Sequence, residues 1–126
     1  MGGSLLKLAI DLDLRELPAR SVAASAAPVT LPAAFALAAH GFAVPATAAL
    51  VAYVWAWLEN QVVAAIKLVP LGQVAGQRML AALGARIPGV VAAATALADD
   101  DLSTFAPGLA LASARHETQY TRLFRS

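Results

Sequence analysis

Apolar residues fall along this chain in runs cut by proline and glycine, not in alternation with polar ones. No stretch alternates apolar and polar over strand length, and alanine outnumbers the sparse β-branched residues, so the pattern predicts helices and leaves little to build a sheet from. Proline, glycine and short polar side chains then mark the boundaries. A first helix is expected from Ser4 to about Asp13, with Leu5, Leu8 and Leu12 on one face, followed by an irregular connection from Leu14 to Thr30. Thr30 is a candidate cap for a short helix from Pro32 to His40 that stops at Gly41. Pro45 opens the longest helix, reaching about Lys67. Trp55, Leu58 and Val62 form one stripe of it and Tyr53 and Trp57 an adjoining one, so it is expected to be central. Pro70 ends it and introduces a helix from Leu71 to Leu83, closed by Gly84. Pro88 begins a shorter one to about Ala98. Asp99, Asp100 and Asp101 make a turn, and a last helix runs from Pro107 to Glu117. The expected class is all-α: a compact bundle of about five to six helices in one domain over residues 1–126, with a more polar tail at 118–126.

The longest helix raises the question of a membrane. No charged residue lies between Ser21 and Leu58, but Pro28, Pro32, Gly41 and Pro45 divide that run. Its best piece, Ala46 to Leu58, falls short of the roughly 20 residues a span needs. Extension meets Glu59, Asn60 and Gln61, and a carboxylate at bilayer depth costs about 2.5–3.5 kcal/mol even on insertion scales. A core helix fits better, and a small membrane protein with residues 46–69 inserted is the alternative. The N-terminus has neither the basic region nor the cleavage site of a signal peptide, since Asp11 and Asp13 directly follow its apolar stretch. Cytoplasm is the expected location.

Composition turns the pattern into an argument about partners. The chain is 60% hydrophobic and 13% charged, against about 45–50% and 25% in ordinary domains, which excludes a disordered tail. With no cysteine it is not a disulfide scaffold. Nine Lys and Arg against eight Asp and Glu leave no basic footprint for nucleic acid. A chain of this size buries about two-thirds of the surface it exposes when unfolded. With charges this scarce, broad apolar surface remains for another protein to cover.

Candidate chemistry is thin. His116 and Glu117 begin an H-E-x-x-H pattern, but its fifth position is Tyr120, so the zinc motif fails. A calcium loop starting at Asp99 would need Gly and Glu where Thr104 and Ala110 stand. There is no phosphate-cradling glycine loop. His40 sits at a helix end, where a cation near the C-terminal dipole explains it. His116 reads equally as an exposed helix residue or a recognition residue. No nucleophile, base and acid assemble from these residues, and two isolated histidines without cysteine make a poor metal cluster; neither catalysis nor a bound cofactor or metal is expected. Glu59 and Lys67 lie two turns apart, on roughly the same side of the long helix, which faces either a partner or solvent. Gly72 and Gly76 have helix-packing spacing, within the chain or against another. Arg115, Tyr120, Arg122, Leu123, Phe124 and Arg125 combine aromatic, aliphatic and guanidinium groups, the composition of interface anchors; a frayed, solvated terminus is the alternative, and composition favours the interface.

Three segments carry a family likeness: LPAAFALAAHGFAVP (Leu31 to Pro45), WAWLENQVVAAIKLVPLGQVAGQRML (Trp55 to Leu80) and FAPGLALASARHETQYTRLFRS (Phe105 to Ser126). Through them the chain resembles the UreF family of urease accessory proteins. The likeness covers essentially the whole chain, with GGSLLKLAIDL matching an internal stretch of the family, so a truncated or mis-started member is expected. The resemblance implies an all-α, non-enzymatic protein that acts in nickel insertion into the urease apoprotein, commonly as a dimer, and binds UreD (also called UreH) and the GTPase UreG. It places Arg115, His116, Tyr120, Arg122, Leu123, Phe124 and Arg125 in the segment that meets UreD/UreH. It places Lys67 at a position that engages UreG, with Glu59 and Gln73 as neighbouring candidates.

Overall fold

The computed structural model describes residues 2–12, 28–69, 71–103, 105–118 and 120. Among them the chain is all-α: six α-helices, one short 3-10 turn and no strand. We number the helices α1 (Gly2–Asp11), α2 (Leu31–Gly41), α3 (Ala46–Leu68), α4 (Gly72–Gly84), α5 (Ile87–Thr95) and α6 (Pro107–His116), with the 3-10 turn at Asp99–Asp101. The expected connection from Leu14 to Thr30 lies largely outside the described residues. The chain divides into two compact units, Met1–Leu58 and Glu59–Ser126.

In the first unit, α1 packs on α2. Leu6 and Ala34 are buried together, with Leu5, Ile10, Val29 and Leu37 against them, and Ala34 is 0% exposed. Of the leucine face expected on α1, only Leu5 packs against this core. Leu8 and Leu12 are each 54% exposed, whereas Gly2, Leu6 and Ala9 are buried. The reason is steric: Gly2 lies so close to the backbone at Val29 and Thr30 that a Cβ there would collide with it. Small residues allow this close approach, and leucines at the same positions would hold the helices apart.

Both ends of α2 are fixed locally. The Thr30 hydroxyl accepts a hydrogen bond from the Ala33 N–H at 3.4 Å, as an N-cap should. At the other end the Ala43 and Val44 N–H groups donate to the His40 and Ala39 carbonyls, both at 2.9 Å, which is the paired bonding of a Schellman motif. The left-handed position of that motif is Ala43, with φ 55°. Gly41, where the helix was expected to stop, is its last residue. The helix-ending work falls on an alanine that pays for a conformation glycine adopts freely.

Next, α3 runs unbroken through Glu59, Asn60 and Gln61 to Leu68. It is not the central, surrounded helix that its apolar circumference predicts. Leu58 and Val62 are buried but Trp55 and Trp57 are exposed, and only 17% of its most apolar window is buried. In the second unit, Val62, Leu80, Ile87 and Val91 are buried. Gly76 of α4 admits the Ile66 side chain of α3, and an added Cβ there would meet Ile66 closely and Val62 at 3.6 Å. The two glycines of α4 therefore do different jobs. Gly76 is an internal packing residue, while Gly72 has φ 72° with open space around it and serves the turn into the helix.

Candidate partner-binding surfaces

Two surfaces collect the candidate residues, both in the Glu59–Ser126 unit. The first is α6 with its flanks. Pro107 starts the helix at a position suited to its missing N–H, and the Thr118 hydroxyl donates to the Arg115 carbonyl at 3.2 Å just past its end. Arg115 and His116 occupy the last turn, where positive charge complements the helix dipole. No residue of α6 is buried. Around it, Phe105 is 87% exposed, Leu109 and Leu111 are exposed, and Tyr120 is 97% exposed. Such bare aromatic and leucine side chains next to basic groups have the chemistry of interface anchors. Arg122, Leu123, Phe124 and Arg125 lie outside the described residues.

The second surface is the C-terminal half of α3 and the start of α4. Glu59 and Lys67 on α3, and Gln73 in the first turn of α4, are all exposed. The structure thus puts the three on consecutive elements of one unit.

Sequence reasoning missed two features. Phe105 and Leu109 extend the C-terminal anchor chemistry upstream of the tail; their signal was an apolar helix with nothing assigned to cover it. The other is an apolar cleft of about 490 Å³ between α2 and the first half of α3, bordered by the Phe35–Tyr53 pair with ring centroids 5.3 Å apart in edge-to-face contact. His40, expected only to complement a helix end, also lines this cleft. Among the described residues no three His, Cys, Asp or Glu side chains gather as a metal site. In the same residues α3 is the one helix whose length and composition would let it cross a membrane, but it carries Glu59 and Lys67 within its span.

Comparison with known proteins gives this arrangement a family. The UreF profile matches residues 1–84, which include the α2–α3 cleft and the Glu59–Gln73 surface. The chain belongs to the UreF family. It is 57% identical over 130 residues to the urease accessory protein UreF of Azoarcus sp. (strain BH72), covering all of this chain and 55% of that protein. It is 55% identical over 129 residues to the UreF of Bordetella parapertussis, of which it covers 59%. The bifunctional urease accessory protein UreEF of Bordetella bronchiseptica is also 55% identical over the whole chain, which covers 30% of it. The chain therefore spans little more than half the length of the UreF relatives named here. No solved structure matches it. These relatives carry the name of accessory proteins, not of enzymes.

Proposed function

We propose that this chain is a binding protein of urease maturation in the cytoplasm, one that engages UreD/UreH through its C-terminal segment and UreG through the Lys67 side of α3, so that nickel reaches the urease apoprotein as cargo. Family membership supports the pathway. The observation that carries the binding role is α6: a helix with no buried residue, flanked by bare Phe105 and Tyr120, has apolar surface that a protein partner would remove from water. At about 25 cal/mol per Å² such burial is enough to make these side chains anchors. Lys67, an exposed residue in the last turn of α3, adds charge selectivity more than affinity.

The test is co-purification with the two partners separately. Deleting Thr118–Ser126 is expected to abolish recovery with UreD/UreH, and retained binding contradicts the assignment of the tail. Lys67→Ala is expected to leave UreD/UreH binding intact while lowering urease activation severalfold. Unchanged activation would make that lysine a bystander.

A further inference from the structure

We draw no further inference here: the strongest candidate, the apolar cleft between α2 and the first half of α3 lined by Phe35, His40, Leu50 and Tyr53, carries none because nothing in the structure shows what covers it.

Discussion

Two helices of nearly equal length and similar composition, α2 and α6, have opposite fates. Both begin with proline in the first turn and consist largely of alanine and leucine, over 11 and 10 residues. In α2 the Thr30 side chain caps the start, Ala34 is buried beneath α1, and a Schellman motif closes the end. In α6 no side chain caps the start and nothing is buried. Leu109 and Leu111 are two residues apart, so they project about 200° from each other around the axis, and one neighbouring helix would not cover both. Helix formation is thus a local property that both segments satisfy. Burial is a relation, which α2 finds within its own unit and α6 does not find among the described residues.

The same substitution in the two regions gives the strongest contrast. Leu6→Ala removes a side chain from the α1–α2 core and is expected to cost about 2–5 kcal/mol in urea unfolding followed by helicity. A cost below 1 kcal/mol would mean that this core does not hold the unit together. A smaller effect of opposite sign is expected at the end of α2, where Ala43→Gly relieves a left-handed alanine and should stabilise by about 1 kcal/mol. Destabilisation there would contradict the assigned cap. The smallest effect on stability belongs to Leu109→Ala, within about 0.5 kcal/mol, although it should weaken capture by UreD/UreH at least severalfold. If Leu109→Ala proved as costly as Leu6→Ala, the distinction between the two helices would collapse.

The elements were legible in the sequence to within about three residues because proline, glycine and Thr30 act through local chemistry. Faces were less legible. Leu5, Leu8 and Leu12 make the more hydrophobic side of α1, but the close approach at Gly2 selects the smaller side with Leu6 and Ala9. The helix ends at Gly41 as expected, but the left-handed position falls two residues later, on Ala43, where no glycine or asparagine marks it. The apolar circumference of α3 reads as centrality, yet it equally describes a helix awaiting cover, and periodicity does not distinguish the two. As for the sites, Arg115 and Tyr120 were singled out by composition and His116 by the family likeness, and all three stand exposed. The cleft was not found, because it depends on how α2 and α3 meet and not on any one segment.

Site-resolved hydrogen exchange of this chain, alone and with UreD/UreH, tests the central claim most directly. The account predicts that amides in α1 and in the middle of α2 exchange slowly in both states, and that amides of α6 exchange rapidly in the free chain and become strongly protected in the complex. Amides of α6 that were already slow in the free chain, or that stayed unprotected in a complex shown to have formed, would contradict it.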